Sequence, residues 1–185
     1  MVSLAAGSIG VAIGLYFGRF IAGAVALPFA SSRQAIPLAT GVTWWAFIGL
    51  IGGLGLAFTA VSERRVRFVL VSLLGFALGG AIAALPEANR LDRSSVLATL
   101  AVPLGGALAG LLTGISARLG VRSALAAIVG ALAMLIAKPH LDALIPPSDW
   151  VALLAPGAMI GTALALLAPD NENAPPPGGS QADGA

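Results

Sequence analysis

The sequence predicts an all-α, polytopic integral membrane protein of about six transmembrane helices packed through glycine (GxxxG) stripes. Charge is the first reason. Only 10% of residues are charged and 58% are hydrophobic, at a mean hydropathy of +0.95, whereas a soluble domain carries roughly 25% charged residues. A chain so poor in charge cannot cover its surface with water-compatible groups, so its apolar residues need lipid as a second solvent. Length is the second reason. Six apolar stretches approach the roughly 20 helical residues that cross a hydrocarbon core of about 30 Å. The third is glycine at four-residue spacing in five of those stretches.

The first stretch, residues 4–27, carries Gly10, Gly14 and Gly18. Positions four apart share a helix face. A secretory signal peptide is the alternative for this segment. Against it, no Lys or Arg precedes Arg19, the apolar run is too long, and no clean small-x-small site precedes Ser31. The second stretch, 43–61, opens on Trp44 and Trp45 and contains Gly49 and Gly53. The third, 68–85, contains Gly75 and Gly79, and the fourth, 95–115, has Gly106, Gly110 and Gly114. The fifth, 121–137, is short, but Arg122 and Lys138 at its ends can snorkel to the interfaces. The sixth, 149–168, opens on Trp150 and contains Gly157 and Gly161.

Glycine stripes strip side chains from a face, so a second backbone can approach and gain dispersion contacts. In lipid, where the hydrophobic effect no longer drives association, this is a main source of helix packing. The stripes suit contacts within one subunit or between subunits. Pro103 and Pro156 fall inside the fourth and sixth stretches, each eight residues after a serine, Ser95 and Ser148. Each removes a backbone hydrogen bond and is expected to kink its helix.

The connections 62–67 and 116–120 are short and join antiparallel neighbours; the others are longer and carry Pro37, Pro86, Pro139, Pro146 and Pro147. Residues 1–168 form the membrane domain. Residues 169–185, rich in Pro, Gly and Asn, form a tail expected to be disordered. Sliding the chain by 55 residues aligns Gly55, Leu56, Val66, Arg67, Leu70 and Gly75 with Gly110, Leu111, Val121, Arg122, Leu125 and Gly130. Either two similar hairpin repeats or shared membrane composition explains the match.

Both termini and the two short connections share one face, which holds Arg64, Arg65, Arg67, Arg118 and Arg122. The opposite face holds Arg33, Arg90, Arg93 and Lys138. The positive-inside rule makes the first face cytoplasmic, with the chain multi-pass in the plasma or inner membrane of a bacterium. Tyr16, Trp44, Trp45 and Trp150 then approach the other interface, as an aromatic belt does.

Few residues offer chemistry. The chain has no cysteine and one histidine, which excludes thiolate metal sites, disulfides and bis-histidine haem. No cofactor is expected. The cations are scattered and net charge is +2, so nucleic acid is not an expected partner. Arg19 lies within an apolar stretch. It is either a functional intramembrane charge or an interfacial residue beyond a helix ending near Phe20. His140 and Asp142, placed in a loop after Lys138, share a face with Glu87, Asp92 and Asp149. They form an oxygen-rich cation site or are merely solvated. Glu63 and Arg67 are spaced to pair across a helical turn. No span contains a carboxylate and no nucleophile elbow precedes His140, so an enzyme is not expected.

Two functions remain. One is a non-enzymatic structural or accessory subunit, a glycine zipper bundle whose partners are the lipid bilayer and a membrane protein or second copy. The other is a small transporter or channel component for a neutral or weakly polar solute. The second requires a polar cavity near the midplane lined by residues such as Ser8, Thr59, Ser72, Thr99, Thr113 and Thr162.

Overall fold

The computed structural model describes residues 2–59, 65–92, 95–142 and 150–167. All regular structure in these segments is helical: α1 (Val2–Ala26), α2 (Ala35–Thr59), α3 (Arg65–Ala88), α4 (Val96–Ser116), α5 (Ser123–Asp142) and α6 (Trp150–Leu167), with 3-10 turns at Leu27–Phe29 and Gly120–Arg122. Five segments are long and apolar enough to cross a membrane: Ala5–Phe29, Ala35–Ala57, Arg65–Ala88, Val96–Ser116 and Gly120–Lys138. The sixth helix has 18 residues. The tail, Glu63, Arg64 and Asp149 lie outside the described residues, and so does the expected Glu63–Arg67 pair.

Each helix packs mainly on its neighbours in sequence, and α6 packs on α1, so the six close into a ring. Along the axis the ring is filled in two layers. One holds Leu56, Phe68, Val69, Leu119 and Ala126, near the α2–α3 and α4–α5 connections. The other holds Val11, Leu15, Trp45, Ile48, Phe76, Ala109 and Met134, with Ile160 of α6 against it. Large apolar side chains also cover the outside. Leu70, Leu74 and Leu78 form an i, i+4 row along α3, each more than half exposed, and Leu125, Ile128 and Leu132 cover the outer face of α5. This is the reverse of a water-soluble helix, whose apolar stripe faces the core alone.

Several helices run past their expected ends. α2 begins at Ala35, so Pro37 lies in its first turn, where a missing N–H breaks no helical bond. Trp44 and Trp45 therefore lie well inside α2 and do not open it. Pro86 lies within the last turn of α3, not in a loop. The backbone of α5 continues through His140 to Asp142, so these two belong to its last turn and not to a loop. α1 continues seven residues beyond Arg19, which corrects the reading in which the helix stops near Phe20.

The ends are specified locally. Ser95 caps α4, its hydroxyl accepting from the Ala98 amide at 3.2 Å. α3 and α4 end alike. Arg90 (φ 54°) and Arg118 (φ 59°) adopt the left-handed conformation, and the next amide folds back, Leu91 donating to the Pro86 carbonyl at 2.8 Å and Leu119 to the Gly114 carbonyl at 3.1 Å. Glycine usually occupies the left-handed position of such a cap. Pro103 and Pro156 lie inside α4 and α6, both of which continue as helix on either side.

The 55-residue offset does carry the α2–α3 hairpin onto α4–α5, but aligned residues meet different surroundings. A Cβ on Gly55 would strike the Ala6 carbonyl of α1, whereas one on Gly110 would strike the Ala126 carbonyl of α5. The aligned glycines are therefore not in equivalent places: Gly55 faces the helix before its hairpin, and Gly110 faces its own hairpin partner.

Candidate functional site: the open mouth of the ring

At the end of the ring away from the α2–α3 and α4–α5 connections, α2 and α4 begin while α3 and α5 finish. Here two hollows open among the described ends of α2, α3, α4 and α5. A hollow of about 290 Å³ is lined by Ala83, Pro86, Glu87, Arg90, Leu91, Ala98, Thr99, Val102 and Lys138. A second, of about 190 Å³, lies between α2 and α3 over Pro37, Thr40, Trp44 and Trp45, and shares Ala83, Glu87 and Val102 with the first.

Glycine shapes the floor. A Cβ on Gly79 or Gly105 would come within 3.1 Å of the Trp45 ring, and one on Gly80 would lie 2.7 Å from the Trp45 Cβ. The indole thus occupies space that three glycines leave open, at 3% exposure. Trp44 is anchored beside it, its indole N–H donating to the Leu15 carbonyl at 3.0 Å. Trp45 is therefore turned into the ring and packed at a tilt on Phe76, where an aromatic-belt residue would face the interface. Trp45, which lines the smaller hollow, belongs to the packed layer of Ile48, Phe76 and Met134.

The mouth carries both signs of charge. Glu87 lines both hollows, and Arg90 and Lys138 line the larger. Glu87 and Arg90 are exposed and Lys138 is half-buried. Thr99 also lines the larger hollow and donates its hydroxyl to the Ser95 carbonyl at 3.3 Å.

The glycines predicted to pack all lie in helices. A Cβ on Gly10, Gly14 or Gly18 would fall within 3.0 Å of an α2 atom, and one on Gly49 or Gly53 within 3.1 Å of α3. One on Gly75 or Gly79 would do the same against α4, on Gly106, Gly110 or Gly114 against α5, and on Gly157 against Gly7 and Ser8 of α1. The surroundings of Gly161 lie outside the described residues. Arg19 is half-buried, its guanidinium 5.1 Å from the Phe20 ring centroid, on the turn where Gly18 meets Trp44 and Phe47.

Among the described residues, the hydroxyls expected around a midplane cavity do not line one common hollow. Thr99 lies at the mouth. Ser72, Thr113 and Ser123 are buried, and their hydroxyls have no protein partner. Thr113 borders a void of only about 20 Å³, walled by Phe76, Gly106, Gly110, Ala126, Gly130, Met134 and Ile160. Ser8 is buried on α1. The side chain of Thr59 lies outside the described residues. Among the described residues no three potential metal ligands come together. Glu87 and Asp92 are both exposed there, and the side chains of His140, Asp142 and Asp149 are not described.

Sequence reasoning named Glu87 only as part of a cation site and gave Arg90 and Trp45 no shared role. Comparison of the chain with protein-family models, curated proteins and solved structures finds no match.

Proposed function

We propose that the chain is a six-span, multi-pass membrane protein serving as a non-enzymatic structural or accessory membrane subunit. The packed axis carries this reading: Ile48, Phe76 and Met134 fill the ring at mid-height and Leu56, Phe68 and Leu119 fill it below. A structural element benefits from a solid interior, whereas a channel needs an open one. Leucine rows on the outer faces suit contact with acyl chains, and glycine on the inner contacts lets the helices approach where lipid supplies no hydrophobic drive. The exposed Arg65, Arg67, Arg118 and Arg122 gather at the end of the ring that bears the two short connections. They favour that end, with both termini, as the cytoplasmic side of a bacterial plasma or inner membrane.

Reconstitution of the purified full chain tests the role. Vesicles containing it alone should neither swell nor take up small neutral or weakly polar solutes faster than empty vesicles. Saturable uptake would overturn the structural reading and establish the second one, a small carrier. The open mouth above Trp45 favours that alternative, since a carrier caught with one side closed needs such a vestibule.

A further inference from the structure

We propose that the mouth of the ring binds a small zwitterion, an ammonium group joined through a short linker to a carboxylate or phosphate. The two hollows meet at Ala83, Glu87 and Val102, so one molecule can reach both. Their combined size falls near the small end of ligand pockets, roughly 300–1,000 Å³. Glu87 lines both: it shares the smaller hollow with Trp44 and Trp45, and the larger with Arg90 and Lys138.

Each group selects one end of the ligand. An ammonium gains from the Glu87 carboxylate and from an indole face, which attracts cations through its quadrupole. A carboxylate or phosphate gains from the exposed Arg90 guanidinium, whose fork of donors suits either group. A purely anionic ligand would meet repulsion from Glu87, and a purely cationic one repulsion from Arg90. Only a ligand carrying both charges is favoured at each end. Ala83 and Val102 between them offer an apolar wall to a short hydrocarbon linker.

The cap that ends α3 fixes the backbone of Arg90 at the rim, with Leu91 donating to the Pro86 carbonyl. The same chemistry occurs in soluble amino-acid-like molecules and in phosphoethanolamine lipid headgroups. The proposal requires no transport, and it stands whether or not the structural role does.

The test uses the full chain carrying Trp150→Phe, which leaves Trp44 and Trp45 as the fluorescent reporters, in phosphatidylglycerol nanodiscs. One arm titrates soluble phosphoethanolamine. The other replaces part of the lipid with phosphatidylethanolamine. A saturable change in tryptophan emission is expected in at least one arm. A response to the soluble compound identifies a free metabolite, and a response confined to the lipid arm identifies a headgroup. Glu87→Gln, at an exposed position, should weaken the response about tenfold or more, as should offering ethanolamine or inorganic phosphate alone. No saturable change in either arm overturns the proposal. So does inorganic phosphate binding as tightly as phosphoethanolamine, or a Glu87→Gln chain that responds like its parent.

Discussion

Gly14→Ala places one methyl group against the backbone of α2, and its cost can be read from the helix contact. A Cβ at this position lies 2.6 Å from the Ile48 Cα and 3.3 Å from its nitrogen. The obstacle is main chain and cannot rotate away. Restoring ordinary contact near 3.4 Å requires the helices to part locally by about 0.8 Å, a gap that forfeits roughly a quarter to a half of the dispersion energy of each separated atom pair. Overpacking of this kind costs about 1–3 kcal/mol, while alanine recovers up to about 1 kcal/mol through its better helix propensity. The same helix supplies its own control. A Cβ on Gly23 meets nothing within 4 Å, so Gly23→Ala changes propensity alone and should be neutral or stabilising. Subtracting the two variants removes the propensity contribution and leaves about 1–3 kcal/mol for the contact. Equilibrium unfolding in mild detergent, followed by far-UV circular dichroism, measures both. Equal stability of the two variants would refute close packing of α1 on α2 at Ile48.

Gly110→Leu should destabilise the monomer by about 1–3 kcal/mol or more, because its side chain would enter the Ala126 carbonyl of the same chain; intact monomers with a lost oligomer, seen by native-size measurement, would instead assign this stripe to a subunit interface. Arg118→Gly should stabilise the chain by about 1 kcal/mol, since glycine adopts the observed φ of 59° without the cost an L side chain incurs; a drop in melting temperature would show that the arginine side chain contributes more than its backbone costs. Cysteines at positions 65 and 121, both exposed, should react with an impermeant thiol reagent from one side of the membrane, and a cysteine at position 87 from the other. Labelling of 65 and 121 from opposite sides would break the up-and-down ring.

Helix existence was legible from hydropathy and charge, because a bilayer-length apolar run has few other fates. Boundaries were less so, and the reason is visible at α2. Pro37 and Gly41 punctuate residues 35–42 and read as loop, yet proline fits a first helical turn, and Gly41 sits where its absent side chain lets the Gly80 carbonyl approach. That shift of a helix start places the two tryptophans well inside α2 and not at its opening. Glycine spacing identified which face of each helix is bare but not which neighbour meets it, since a four-residue period encodes a face and carries no partner. Gly55 and Gly110 show the consequence, aligned in sequence yet facing α1 and α5. The mouth was the least legible feature. Glu87, Arg90 and Lys138 look like scattered loop charges, and only closure of the ring brings the end of α5 beside the end of α3.

The mouth and the closed axis have a common origin in where large residues stop. At mid-height, close approach on glycine is matched by a long side chain from across the contact: Phe76 against Gly49, Met134 against Gly106, Trp45 against Gly79, Gly80 and Gly105. Six helices in a ring leave a central space that backbone alone cannot fill, and these side chains fill it down to a void of about 20 Å³, room for little more than one water. Above Trp45 the pattern lapses. The larger hollow is lined by Ala83, Ala98, Thr99 and Val102, with Pro86 and Glu87 beside them. A hollow left open at this end gains nothing for stability, because its apolar walls at Ala83 and Val102 lack dispersion partners. Larger residues at Ala83 or Ala98 would supply those partners without touching the glycine contacts below. A chain built only for rigidity would have closed this end as it closed the middle, so the small residues around Glu87, Arg90 and Lys138 favour a mouth that something else occupies.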